Sequence, residues 1–365
     1  MKTLLLNPGP VTLTERVRRS LLRPDLCHRE SEFYDLQDEA RARLLAVYQL
    51  DPRDWSAVLM TASGTGAVES MVASLVPRGG KLLVVQNGVY GERIASIAKQ
   101  YGIEHETLVH DWMQAPDLSR IAACLDAQGP FSHVAIVHHE TTTGRLNDLR
   151  EVGALCRSRG AKLLVDAVSS FGAEMIDFQE ANIAAAAATA NKCLHGVPGA
   201  SFVVASHAAI EAAVSRTYYL DLGRLARMQA ERNTPFTPSV HAYYALVEAL
   251  REFEDEGGVA ARHARYAKLA EQARGGLAAR GIAPVLAPEQ SSVVLRAYGL
   301  PQGIAYEPLH DGLKARGFVI YAGQGNLSKQ LFRISTMGDL SSGDIERLLQ
   351  AFDGLVPLST SARIV

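Results

Sequence analysis

Apolar positions along this chain fall into short continuous runs, separated by longer stretches in which they recur at helical spacing. The runs are SAVLM at 56–60, KLLVVQ at 81–86, HVAIVHH at 133–139, KLLVDA at 162–167 and SFVVAS at 201–206. Between them lie segments of helix length, such as GAVESMVASLV at 66–76, GERIASIAKQYG at 91–102 and LREVGALCRSRG at 149–160. A run that is apolar at every position suits a strand covered on both faces, and the amphipathic segments supply the helices that cover it. The alternation predicts an α/β fold with a mainly parallel sheet.

Past residue 207 the rhythm changes. Residues 208–255 read as helical and end in EFEDEGG; a second helical stretch over 258–281 leads into SSVVLRAY (291–298), FVIYAG (318–323) and LFRIS (331–335). Helix and strand without strict alternation predict a smaller α+β domain at the C-terminus. The expected division is an N-terminal arm at 1–15, a large domain at 16–255 and a small domain at 256–365. The alanine run at 184–188 reads as small residues placed where elements pack closely.

With 365 residues the chain is longer than one core ordinarily supports, which agrees with two domains. Its 37 basic and 39 acidic side chains leave a net charge of -2, which argues against nucleic acid or an anionic membrane and toward a small-molecule partner. Four cysteines without CxxC spacing indicate neither a zinc site nor a disulfide framework, so no metal is expected. The start, MKTLLLNPGPV, is too short for a signal segment, and no apolar run reaches about 18 residues. A soluble cytoplasmic protein is expected.

Three segments could carry chemistry. MTASGTGAVES at 60–70 follows an apolar strand and opens a helix, leaving backbone N–H groups free at the positive end of a helix dipole. Ser63 and Thr65 add hydroxyls, and Gly64 and Gly66 would let the backbone approach a phosphate; an ordinary capped βα turn has the same appearance. Asp166 ends the strand KLLVD, where ligands of open parallel sheets bind; there a carboxylate could hold a pyridine nitrogen protonated, or merely cap a helix. Lys192, in ATANKCLHGVPG, lies among small and apolar residues that would depress an amine's pKa and make it a Schiff-base nucleophile. Phosphate turn, strand-end aspartate and lysine, in that order, form the skeleton of a pyridoxal 5'-phosphate (PLP) site. The joint pattern is more specific than its parts.

The chain also resembles a known family, the fold-type I, class V PLP-dependent aminotransferases. The resemblance runs nearly end to end, through LLLNPGPV, SGTGAVE, NGVYGER, HHETTTGRLND, VDAVSSFGA, ANKCLHGVPG, GGVAARHARY, GFVIYAG and FRIS. It implies a seven-stranded, mainly parallel sheet and PLP as cofactor. It also implies Lys192 and Asp166 as catalytic residues, with Lys192 carrying the cofactor and Asp166 at its ring nitrogen. By the same resemblance Ser63, Gly64 and Thr65 would hold the phosphate, Tyr90 would stack on the ring, and Thr142 or Thr143 would lie near the ring hydroxyl. Thr237 would reach the phosphate in a neighbouring subunit of a homodimer, and Arg333 would bind the substrate's acid group.

ETTTG, DAVSSFG and NKCLHGVPG are most similar to the members that pass the amino group of 2-aminoethylphosphonate to pyruvate. CHRESEF (27–33), QAERNTPFT (229–237) and FRISTMG (332–338) depart from those members, at positions expected to border the substrate pocket. Another donor, of the alanine/serine–glyoxylate type or a substituted aminophosphonate, is the alternative. A PLP-fold binding module without catalysis is a third reading, which the presence of both Lys192 and Asp166 opposes. A phosphonate dianion would need donors beyond Arg333; Arg29 and Arg232 are candidates, though either could be a plain surface charge.

Overall fold

The computed structural model describes residues 3–356. The chain opens with β1 (Leu4–Leu5), α1 (Glu15–Ser20) and α2 (Ser31–Ala46). Strands and helices then alternate: β2 (Trp55–Met60), α3 (Gly64–Leu75), β3 (Lys81–Gln86), α4 (Val89–Gln100), β4 (Glu104–Val109), α5 (Leu118–Gln128) and β5 (His133–Val137). A short hairpin, β6 (His139–Glu140) and β7 (Arg145–Leu146), precedes α6 (Leu149–Ser158), β8 (Lys162–Asp166), β9 (Ile183–Thr189) and β10 (Ser201–Ser206). Next come α7 (His207–Glu211), α8 (Leu222–Ala230), α9 (Val240–Glu256) and α10 (Gly258–Ala278). The C-terminal part adds β11 (Leu295–Gly299), α11 (Tyr306–Ala315), β12 (Phe318–Val319), β13 (Tyr321–Ala322), β14 (Leu331–Ser335) and α12 (Ser342–Asp353).

Seven strands form the central sheet in the order β2-β10-β9-β8-β5-β3-β4, and only β10 runs antiparallel to its neighbours. The mainly parallel α/β sheet is as expected. One face packs on α2, α6 and α9 through residues such as Phe33, Leu44, Val152 and Leu246. The other packs on α3, α4 and α8 through Val68, Met71, Ile94 and Leu225. Each fully buried side chain of this kind contributes roughly 1.5–3 kcal/mol, so the strand ends are held firmly in place.

Two strands escape the sequence pattern. β9 holds the alanine run and is buried at all seven positions. Its small side chains let α3 come close, as expected of that run. β4, EHETLV, is a half-exposed edge strand whose polar residues hide it from an apolar search; Glu106 pairs with Lys81 Nζ at 3.1 Å. The helical stretch expected over 208–255 is broken into α7, α8 and α9. Pro235 and Pro238 stand in the loop before α9, where proline's missing N–H and fixed φ prevent a continuous helix.

The C-terminal strands form an antiparallel sheet in the order β11-β14-β13. Leu269, Tyr298, Leu313, Phe332 and Phe352 build its core with α10, α11 and α12. Leu4 and Leu6 join that core, and β1 pairs in parallel with β12. The start of the chain is therefore tied to its last third, which lays Asn7–Pro10 between the two sheets. No helix among the described residues is long and apolar enough to cross a membrane.

Candidate active site

Strands β5, β8 and β9 end side by side, with Val137 opposite Asp166 and Asp166 opposite Ala187. Asp166 is buried there, and its Oδ1 accepts from the Val168 N–H at 3.0 Å. Among the described residues Oδ2 takes part in no such bond. Burial raises the Asp166 carboxyl to about 6, against the opposing pull of the Val168 N–H and of the Arg93 and Lys192 charges.

Lys192 lies on the turn after β9, where Thr189 Oγ1 donates to Asn191 Oδ1 at 2.8 Å. Its Nζ donates to the carbonyl of Pro8. Burial lowers its pKa to about 8, assisted by Arg333 and Arg93 and opposed by Cys193 and Asp166. Gly9, at φ +106°, presses on the lysine stem; a Cβ there would stand 2.7 Å from Lys192 Cδ. The sequence pattern predicts the depressed amine. It offers no sign that the N-terminal Pro8–Gly9 would cover it.

The turn into α3 has the capped form expected: Ser63 is the N-cap and its Oγ accepts from Gly66 N. Ser63 is exposed, Thr65 and Gly66 are half-buried, and Gly64 is buried. Thr65 Oγ1 accepts from Arg93 Nη1 at 3.1 Å, and the Arg93 guanidinium lies 4.7 Å from the centre of the Tyr90 ring. Arg93 is a neighbour that sequence reasoning missed; its signal was the position three residues after Tyr90 in NGVYGER, one helical turn on. Gly64 has a packing role as well. A Cβ at that position would lie 2.8 Å from Val168 Cγ1, and one at Gly66 would lie 2.7 Å from the Ala62 Cβ. Both glycines answer to packing within the protein.

The ETTTG turn follows β6. Thr142 Oγ1 donates to Glu140 Oε1 at 2.5 Å, and Thr143 Oγ1 donates to the Trp112 carbonyl at 3.3 Å. Thr141 Oγ1 is buried with no partner among the described residues, so the first threonine, which the sequence did not single out, keeps a free hydroxyl. Glu140 is fully buried, and burial pushes its carboxyl up to about 7.

Arg333 comes from β14 and is 1% exposed. Its Nε donates to Ala322 O and its Nη1 to Thr141 O, both at 2.8 Å, with a longer bond of 3.2 Å to Gln324 Oε1. Tyr321 places its ring 5.5 Å from the guanidinium. All three acceptors are neutral, and among the described residues no carboxylate pairs with this cation. A buried charge without a counter-ion is costly, and an anionic substrate group would offset that cost.

The segments expected to border the substrate pocket make contacts within the chain. Ser335 Oγ and Thr336 Oγ1 donate to the carbonyls of Val294 and Val293, at 3.1 and 2.8 Å, and Met337 is buried in the core. The residues that follow FRI therefore brace β14 from behind. Arg232 is held by Asp35 and Asp38, and Arg29 Nη1 donates to Asn233 and Thr234. These contacts join the two departing segments 27–33 and 229–237 to each other. Thr237 is exposed on the loop between α8 and α9 and makes no hydrogen bond to Ser63, Thr65, Asp166 or Lys192.

The residues present fit pyridoxal phosphate. Asp166 has a spare oxygen in a buried carboxylate, Lys192 has a depressed amine, and the first turn of α3 adjoins Arg93. The charges of Asp166, Arg93 and Arg333 all act on Lys192. The family called aminotransferase class-V matches residues 18–335. The chain belongs to the class-V aminotransferases.

A 2-aminoethylphosphonate–pyruvate transaminase of Aeromonas hydrophila is 38% identical over 95% of this chain and 93% of its own length. One from Rhizobium meliloti is 37% identical over 95% and 91%. Among solved structures, an alanine–glyoxylate aminotransferase of Nostoc sp. superposes with a TM-score of 0.91 at 29% identity, covering 97% of this chain and 95% of that one. An aspartate aminotransferase of Thermus thermophilus gives 0.89 at 29% identity, covering 97% and 99%. This class-V member is thus a PLP-dependent aminotransferase of fold-type I.

Proposed function

We propose that this aminotransferase moves the amino group of 2-aminoethylphosphonate to pyruvate, releasing phosphonoacetaldehyde and alanine. The observation that carries this reading is the match to transaminases of that name at 35–38% identity along nearly the whole chain. Arg333 supports it as a buried guanidinium without a carboxylate partner among the described residues, able to receive either a phosphonate or a carboxylate.

Lys192 would hold the cofactor covalently through Nζ, and Asp166 Oδ2 would face its ring nitrogen. Ser63, Gly64 and Thr65 at the start of α3 would take the phosphate, Tyr90 would lie on the ring, and Thr142 or Thr143 would approach the ring hydroxyl. When bound, pyridoxal phosphate supplies a sink for the electron pair left on the substrate carbon. Lys192 Nζ would take the proton from the substrate carbon that bears nitrogen and later return a proton. The Pro8 carbonyl is positioned to hold Nζ between those two events. Asp166 would hold the ring nitrogen protonated; the same carboxylate is costly when buried alone.

The division into an arm (1–15), a cofactor-binding domain (16–255) and a C-terminal domain (256–365) belongs to this reading. It is supported by the separate C-terminal core and by the left-handed break at Gly257, φ 105°, between α9 and α10. A cytoplasmic homodimer belongs to it as well: Thr237, exposed and not hydrogen-bonded to its own chain's Lys192, would then reach the partner's phosphate site.

A second reading keeps the chemistry and changes the donor to alanine or serine, with glyoxylate as acceptor. The Nostoc alanine–glyoxylate enzyme, with its TM-score of 0.91, favours it. Measuring kcat/KM for 2-aminoethylphosphonate and for alanine, each with pyruvate or glyoxylate, separates the two. The phosphonate should win; a preference for alanine of about tenfold, ~1.4 kcal/mol in the transition state, would reject the phosphonate reading.

A further inference from the structure

Helix α4 carries Tyr90 and Arg93, and its own N-cap cannot hold it. That cap is Gly88, which has no side chain to accept the free N–H groups of the first turn. The acceptor comes from elsewhere in the chain: Glu140 Oε2 takes the Tyr90 N–H at 3.2 Å. A carboxylate at a helix N-terminus also meets the positive end of the dipole. Its other oxygen, Oε1, takes the Thr142 N–H at 3.1 Å and the Thr142 hydroxyl at 2.5 Å. Thr142 Oγ1 in turn accepts from Val89 N at 3.4 Å, closing a ring of contacts between α4 and the ETTTG turn.

Gly88 shows how closely this contact is built. Its φ of 169° is extended backbone open to any residue, yet a Cβ there would fall 2.2 to 2.4 Å from the Glu140 carboxyl group. The space a capping side chain would need is filled by the Glu140 carboxylate. Burying an acid completely is expensive, and packing alone would favour an apolar residue at this position.

We propose that Glu140 is a positioning residue of this site. By capping α4 from outside and binding Thr142 with the same carboxylate, it holds Tyr90 and the Thr142 hydroxyl in register with Asp166. The Arg93–Thr65 hydrogen bond follows from the same anchoring, since Arg93 lies on the turn of α4 that Glu140 secures. The inference rests on the proposed placement of Tyr90 and Thr142 against the cofactor.

The test uses Glu140→Gln, which keeps the shape but turns an acceptor into an amide, and Gly88→Ala, whose methyl group displaces the carboxylate without altering it. Each purified protein is titrated with pyridoxal phosphate, and the visible circular dichroism of the bound cofactor is recorded with kcat and KM. Both variants should bind pyridoxal phosphate about tenfold more weakly and lose roughly half of the dichroic band, with kcat falling more than KM changes. The double variant should be no worse than the weaker single one, because both changes act through one carboxylate. Affinity, dichroism and kcat within about twofold of wild type in Glu140→Gln, with only thermal stability reduced, would overturn the proposal. If Glu140→Gln does not fold, the same unchanged signals in Gly88→Ala overturn it. A wild type that yields no borohydride label at Lys192 refutes the cofactor placement itself, an outcome distinct from normal wild type beside normal variants.

Discussion

Asp166 ends β8 and Lys192 follows β9, so adjacent strands of one parallel sheet hold both groups. Arg333 arrives from the antiparallel C-terminal sheet and meets them only where the two halves of the molecule touch. Its guanidinium is fastened to Ala322 and Gln324 on its own side and to Thr141 on the other. The first pair inherits its geometry from strand pairing, with little freedom to shift. The second depends on side chains and loops that can be exchanged without disturbing the sheet. Such a site can keep one cofactor chemistry while its substrate end varies, which accords with a family resemblance that is strong around Lys192 and a donor that needs kinetic proof.

The strongest challenge to this contrast is Lys192→Ala. Turnover should fall by roughly a thousandfold or more even if pyridoxal phosphate still binds, because the proton carrier is gone. Borohydride reduction and peptide mapping of the wild type should label Lys192; a label on Lys162 or Lys268 instead would undo the assignment.

Asp166→Asn comes next, with an expected loss of about 10²–10³ in kcat and little change in fold, as for other removals of a charge that stabilises a transition state. Near-normal turnover would leave Asp166 as a cap for Val168 N and nothing more. Arg333→Lys should act more mildly and on the other half of the site. A point charge cannot reproduce the planar fork, so KM for donor and acceptor should each rise about tenfold while kcat changes less. A fall in kcat alone would show that the C-terminal half shapes the chemical step and would blur the contrast.

The smallest effect is a pH dependence. Burial holds the Glu140 carboxyl at about 7, above its ordinary 4.5, with Asp166 acting in the same direction. The folded chain therefore keeps a proton that the unfolded chain has lost, and this contribution to stability is full below the ordinary value and is lost as pH rises toward 7. Without cofactor, the wild type should lose stability relative to Glu140→Gln between about pH 5 and 7, by at most ~1.4 kcal/mol per pH unit. Urea denaturation of both proteins across that range checks it. A difference that does not change with pH would mean the carboxylate is ionised throughout and fully compensated by its three donors.

Much of the architecture was legible because the evidence for it is local. The buried runs of β3, β5 and β8 announce a covered sheet, and Asp166 and Lys192 stand where short motifs place them. β4 was hidden by its polar edge, and β9 by alanines that favour neither period. Pro235 and Pro238 could have warned that residues 208–255 are not one helix.

The sequence by itself determined the kind of sheet, the turn that opens α3, and the two residues proposed for the chemistry, because hydrophobic period and turn composition report on a residue's own element. Only the tertiary structure decided the rest of the site. Glu140 meets Tyr90 across 50 residues, Arg93 meets Thr65 across 28, and Lys192 meets Pro8 across 184. It likewise showed that Gly64 yields to Val168 and that Ser335 and Thr336 face Val294 and Val293. Each of these is a pairing between separate elements, and a pattern read along one segment carries no record of which side chain another segment will bring against it.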